Sequence, residues 1–124
     1  PAMSEERSDR RGGPESRRRK ALQRRIQSAM TTVYDPATPH VDLFNMGMIY
    51  AVEADAEGNV RIDLAFSSPG HPGNLELPAR VAQTVRELEG VGECKVRVVS
   101  DPPWSLDRVS DYARVQLSVT GNAS

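Results

Sequence analysis

Cysteine is almost missing from this sequence: Cys94 is the only one in 124 residues. A lone thiol cannot build a disulfide framework or a four-cysteine zinc module within one chain. Aromatic residues are scarce too, 5% of the chain against 38% hydrophobic residues in all, so the core must be aliphatic and modest. A chain of this length still buries roughly two-thirds of its unfolded surface, enough for one domain held by packing alone. No apolar run exceeds a few residues, which excludes a membrane-spanning helix. The first residues are charged with no apolar segment behind them, so no secretory signal is expected, and Met3 reads as the native start. Together these absences make a soluble protein of a reducing compartment the default expectation, with no membrane partner.

The net charge of −1 hides two unlike parts. Residues 1–29 carry nine Arg/Lys against four Asp/Glu, and the remainder carries seven against thirteen. Residues 1–15 are Ser, Arg, Gly, Pro and Glu with almost nothing apolar, a composition that cannot offset its own conformational entropy. They are expected to be a disordered basic/polar tail. From Ser16, a suitable N-cap, Leu22, Ile26, Ala29 and Met30 fall on one helix face. Arg17, Arg18, Arg19, Lys20, Arg24 and Arg25 cover the rest. With no interleaved aromatics, the cluster reads as the solvated side of an amphipathic helix, and nucleic acid is not the expected partner.

A single domain over residues 16–119 is expected, with residues 120–124 as a frayed tail. Pro36 ends the first helix, and Pro39 with Asn45-Met46-Gly47 keeps the chain irregular up to Met48. Residues 48–55 and 59–67 read as strands. In the second, Val60, Ile62, Leu64 and Phe66 alternate with more polar positions, and the Gly/Asn turn between the two makes an antiparallel hairpin. After a Gly/Pro-rich loop, Leu77, Val81, Val85 and Leu88 recur at helical spacing over residues 75–88, with Asn74 as N-cap and Gly90 as the stop. Residues 94–100 form a third strand. A last helix carries Leu106, Val109, Tyr112, Ala113 and Leu117, capped by Ser105 or Asp107. The order α-β-β-α-β-α predicts an α+β two-layer sandwich: a three-stranded mixed sheet with helices packed on one face. The crossover through a helix makes the second and third strands parallel.

Parallel neighbours place the two loops that follow them at the same end of the sheet, where open sheets hold ligands. The first loop offers Ser67, Ser68 and His71; the second offers Asp101 and Trp104. His71 is the one imidazole of its loop, which makes it the candidate acid/base group or metal ligand, with Ser68 and Asp101 as partners in a small-enzyme reading. The competing reading is a histidine hydrogen-bonded to nearby backbone. His40 lies in an exposed linker, Cys94 is a buried inert thiol on its strand, and Trp104 is a core anchor. No phosphate-binding glycine loop and no carboxylate dyad stands out.

Several segments together resemble one family. Tyr34-Asp35-Pro36, Val41-Asp42 and Met46-Gly47-Met48-Ile49-Tyr50 match its opening; Ser67-Ser68-Pro69-Gly70-His71-Pro72 matches its T-x-P-G-C-P loop. Gly90-Val91-Gly92, Val96-Arg97-Val98, Asp101-Pro102-Pro103-Trp104 and Asp107-Arg108-Val109-Ser110 match its end. The chain is thus similar to the metal–sulfur (iron–sulfur) cluster assembly factors, the PaaD- and SufT-like proteins, over roughly residues 33–117. The resemblance implies a cytoplasmic accessory factor, commonly a homodimer, with the iron–sulfur assembly machinery or a client metalloenzyme as partner. In that family the reactive group is the loop cysteine, and here the position holds His71. Clusters are normally held by thiolates, so no stably bound cofactor is expected, although the resemblance makes an iron–sulfur cluster the relevant ligand. Three readings follow: an assembly or maturation factor, a cluster-free interaction protein on the same fold, and a small enzyme using His71.

Overall fold

A computed structural model describes residues 13–123 of the chain. Most of the expected disordered tail, residues 1–12, and Ser124 lie outside the described residues.

Helix α1 spans Pro14–Ala29. It begins before the expected cap: Gly13 is the N-cap, and Pro14 opens the helix where a missing N–H leaves no acceptor wanting. Ser16 is instead buried in the first turn, beside the stripe of Leu22 and Ile26. The last turn tightens into a 3₁₀ turn over Met30–Thr32 that buries Met30. Next comes a ribbon the sequence did not signal. Strands β1 (Tyr34–Asp35) and β2 (Thr38–Asp42) pair antiparallel, with Tyr34 opposite Asp42 and Asp35 opposite Thr38. Two prolines in six residues argue against a strand in the middle of a sheet, but a two-stranded ribbon is all edge and tolerates them.

The main sheet follows the expected plan. Strands β3 (Ile49–Ala54) and β4 (Val60–Leu64) form the antiparallel hairpin, and β5 (Cys94–Val98) lies parallel to β4, giving the order β3-β4-β5. The β4–β5 register runs from Val60 opposite Cys94 to Leu64 opposite Val98. Helix α2, Leu77–Arg86, makes the crossover and buries Leu77, Val81, Ala82 and Val85. α1 packs on β3, α2 packs on β5, and the two helices touch, so they cover the same face of the sheet.

The last helix starts later than its apolar spacing suggested. Leu106–Arg108 is a 3₁₀ turn, Val109 is extended, and helix α3 runs Asp111–Ala123. The cap is neither Ser105 nor Asp107: the Ser110 hydroxyl accepts the Ala113 N–H at 3.1 Å. The core is aliphatic and methionine-rich, with Ile26, Met30, Leu43, Met46, Met48, Ile62 and Leu64 fully buried. Unbranched thioether side chains fill the gaps that a chain poor in aromatics cannot fill with rings. The fold is α+β as expected, with the small ribbon added.

A braced loop beyond the ends of the parallel strands

Because β4 and β5 run parallel, the loops leaving Leu64 and Val98 emerge side by side. The first, residues 65–76, is braced from within and from below. Ser67 donates its hydroxyl to Oδ2 of Asp35 at 2.5 Å, and the other Asp35 oxygen accepts the Ala37 N–H at 3.1 Å. Asp35 is 1% exposed, so this bond ties the loop to the β1–β2 ribbon from a buried site. Asn74, expected as the cap of α2, is a strut instead: its side-chain amide donates to the Ser68 carbonyl at 2.7 Å. Gly73 lies so close to the ribbon that a Cβ there would come within 2.6 Å of Pro36 Cβ. The segment Pro72–Leu75 closes as a 3₁₀ turn.

His71 is half-buried at the start of that turn, and its Nδ1 accepts the Gly73 N–H at 3.0 Å. A neutral imidazole has one lone-pair nitrogen, and this bond takes it, leaving Nε2 to carry the proton as a donor. His71 in this pose cannot ligate a metal without giving up Gly73. Ser68 and Asp101 are both exposed, and no side-chain hydrogen bond joins either of them to His71 among the described residues. The three residues of the small-enzyme reading do not form a hydrogen-bonded catalytic set. His40 is exposed, on β2 rather than in a linker.

The second loop is pinned to the turn before β3. The Trp104 indole N–H donates to the Met46 carbonyl at 2.6 Å, and Tyr50 donates its hydroxyl to the Pro102 carbonyl at 2.8 Å. The Arg108 guanidinium lies 3.8 Å from the Tyr50 ring centroid and donates to the Gly47 carbonyl at 3.1 Å. Between the two loops lies a cleft of about 310 Å³, lined mainly by Phe66, Pro69, Val98, Val99, Pro103 and Trp104. Asp35, Tyr50 and Arg108 had no partner assigned from the residues, and Asn74 was assigned a cap it does not form; each works through a contact that the folded chain creates.

Cys94 is 1% exposed at the start of β5, the opposite end of the sheet from these loops. Burial pushes its thiol up from the ordinary range, and the nearby Arg86 pulls only partly the other way. Among the described residues, no group of three or more His, Cys, Asp or Glu side chains is placed to hold a metal ion. The donor set of one chain does not fit a resident iron–sulfur cluster.

These features define a small α+β protein with a braced, donor-poor loop at the carboxyl end of two parallel strands. Residues 23–98 match the iron–sulfur cluster assembly protein family, and the chain belongs to it. It is 32% identical over 99 residues to the Fe-S protein maturation auxiliary factor YitW of Bacillus subtilis, covering 80% of this chain and 96% of that one. It is 31% identical over 80 residues to the Fe-S protein maturation auxiliary factor SufT of Staphylococcus aureus, covering 64% and 91%. The crystal structure of a domain of unknown function from Bacillus anthracis superposes with a TM-score of 0.79 at 30% identity, over 84% of this chain and 98% of that one.

Proposed function

We propose that this chain is a cytoplasmic accessory factor in iron–sulfur protein maturation, and that its loop 65–76 is a contact surface for the assembly machinery or a client metalloenzyme. The names of its relatives, maturation auxiliary factors, support the process. One observation carries the mode of action. The loop is held rigid, its histidine lone pair is engaged by Gly73, and the adjacent Leu75 is 87% exposed. A leucine held out on a fixed backbone suits a protein contact, because little ordering entropy is left to lose on binding. The same loop offers iron no thiolate and no free imidazole lone pair. On this reading His71 stands where the family pattern carries a cysteine, and cluster chemistry belongs to the partner's thiolates.

The test compares wild type, His71→Cys, His71→Ala and Leu75→Asp. After anaerobic incubation with ferrous iron and sulfide, His71→Cys should retain bound iron and wild type should not. A thiolate near the start of a helix is a ready iron ligand. In cluster transfer from a loaded scaffold protein to an apo-ferredoxin, Leu75→Asp should slow the accelerated rate by about fivefold or more, and His71→Ala should leave it nearly unchanged. Wild type retaining as much iron as His71→Cys would overturn the contact reading. So would loss of the acceleration in His71→Ala with Leu75→Asp unaffected.

A further inference from the structure

Among the described residues strand β5 is an edge strand: it pairs with β4 on one side and with no strand on the other. Its ladder shows which backbone groups are left over. Val60 N–H donates to the Glu93 carbonyl at 2.7 Å, and Val99 N–H donates to the Leu64 carbonyl at 2.9 Å. In the parallel register between those two bonds, residues 93, 95, 97 and 99 turn their backbone groups toward β4. Residues 94, 96 and 98 therefore turn theirs to the open side. The Cys94 carbonyl is capped by the Arg86 guanidinium at 3.0 Å, which leaves the N–H and C=O of Val96 and Val98 as an exposed pairing edge. That edge runs directly into the apolar cleft, which Val98 and Trp104 both line.

We propose that this edge receives an extended segment of a partner protein as an added strand, with acidic and apolar side chains alternating along it. The side chains of β5 set that pattern. Lys95 and Arg97 point to the face away from the helices, and Cys94, Val96 and Val98 point to the other. On the outer face Arg97 is paired with Asp63 at 2.9 Å and Arg61 with Glu53 at 2.9 Å, so Lys95 is the cation left without an ion-pair partner among the described residues. An added strand that places a carboxylate on this face meets Lys95, and its alternate side chains fall on the side of Val98 and the cleft.

A second copy of the chain fits the same edge poorly. Antiparallel pairing centred on Val96 sets Lys95 opposite Arg97 twice, and pairing centred on residue 97 sets Arg97 opposite Arg97. Like charges directly opposite destabilise a strand pair. Registers centred on Val98 or Cys94 avoid this, but the first uses residues beyond the end of the strand, toward Pro102, and the second needs the Cys94 carbonyl that Arg86 already holds. The two cations thus discourage self-pairing, and the unpaired Lys95 favours an acidic strand.

The edge is distinct from Leu75 and His71, so its test stands apart from that of the loop. The full-length chain is isotope-labelled and its amide hydrogen exchange is followed at Val96 and Val98. Two synthetic eight-residue peptides are added in turn, one alternating glutamate with valine and one alternating lysine with valine. The acidic peptide should slow exchange at both amides, and the lysine peptide should bind at least about tenfold more weakly. Lys95→Glu should reverse the preference. Val98→Pro, which removes an outward N–H but no bond to β4, should weaken the acidic peptide without unfolding the sheet. No slowing at millimolar acidic peptide overturns the proposal, as does equal binding of the two peptides. Slow exchange at both amides that grows with protein concentration alone also overturns it, since a second copy would then hold the edge.

Discussion

Gly47 joins the turn before β3 to the second loop, and replacing it with alanine should loosen both. Its φ is +69°, in the left-handed region where an L side chain is disfavoured by roughly 1–2 kcal/mol. Space is a second problem. A Cβ on Gly47 would come within 2.2 Å of the Arg108 carbonyl oxygen and 2.7 Å of Arg108 Cβ, and a carbonyl oxygen is fixed backbone that cannot swing aside. The 3₁₀ turn at Arg108 must retreat, weakening the Arg108 bond to the Gly47 carbonyl and the guanidinium's seat on Tyr50. One exposed hydrogen bond and one exposed cation–π contact together contribute about 1–2 kcal/mol. The expected loss is about 3 kcal/mol, a fall in Tm of roughly 10–15 °C for a domain of this size. Urea denaturation followed by circular dichroism measures it. Gly70→Ala is the control, because a Cβ at Gly70 meets nothing within 4 Å and should leave the midpoint nearly unchanged. A Gly47→Ala midpoint within error of wild type, or an equal loss at Gly70, would refute the reasoning.

Two further outcomes can be measured on the same protein. Cys94 should react with a thiol reagent far more slowly in the native state than in denaturant, because it is buried and its thiol is pushed up by desolvation; similar rates in both conditions would place the thiol at the surface. Asp63 is held below the ordinary carboxylate range, first by its hydrogen bonds from Arg97, at 3.1 and 2.9 Å, and also by the charges of Arg97 and Arg61. A carboxylate depressed in the folded state contributes stability above its unfolded pKa of about 3.9 and loses it as pH falls through the folded value. Asp63→Asn should therefore lower stability at pH 7 and narrow the gap between pH 7 and pH 3, by a modest amount because Arg97 is exposed. An unchanged gap in urea midpoints would separate the pair from acid sensitivity.

What the sequence made legible is what short-range periodicity encodes. The alternation over Val60–Phe66 and the helical spacing of Leu77, Val81 and Val85 gave the hairpin, the crossover and hence the parallel pair, because burial on one face imposes those periods. The β1–β2 ribbon was illegible because Pro36 and Pro39 carry the signature of a loop, and a ribbon with no interior strand does not penalise them. The caps failed for a related reason. Ser16, Asn74 and Ser105 are all good capping types, but tertiary demands were stronger: Asn74 ties the loop to Ser68, and Ser110 caps α3 while its own N–H donates to the Asn45 carbonyl. The candidate site was half legible. Its place beyond the ends of β4 and β5 followed from topology, but the groups that brace it join Asp35 to Ser67 and Met46 to Trp104, across distances no local pattern spans.

The geometry of the crossover also bears on what a loop with His71 can do. Helix α2 begins just past that loop at Leu77 and ends at Arg86, whose guanidinium caps the Cys94 carbonyl. Ten helical residues rise about 15 Å, so the only thiol and the loop stand a full helix length apart at opposite ends of the same rigid connection. No change of side-chain rotamer closes that distance; only unfolding the crossover would, and that means exposing Leu77, Val81 and Val85. A thiolate beside His71 must therefore come from another molecule. In the proposed role, a cluster passing this surface is held by the partner's thiolates throughout, while this chain fixes the orientation in which giver and receiver meet. The hydrogen bonds at Asp35, Ser67 and Asn74 are what that proposed role requires, since a positioning surface works only as well as its own geometry is fixed.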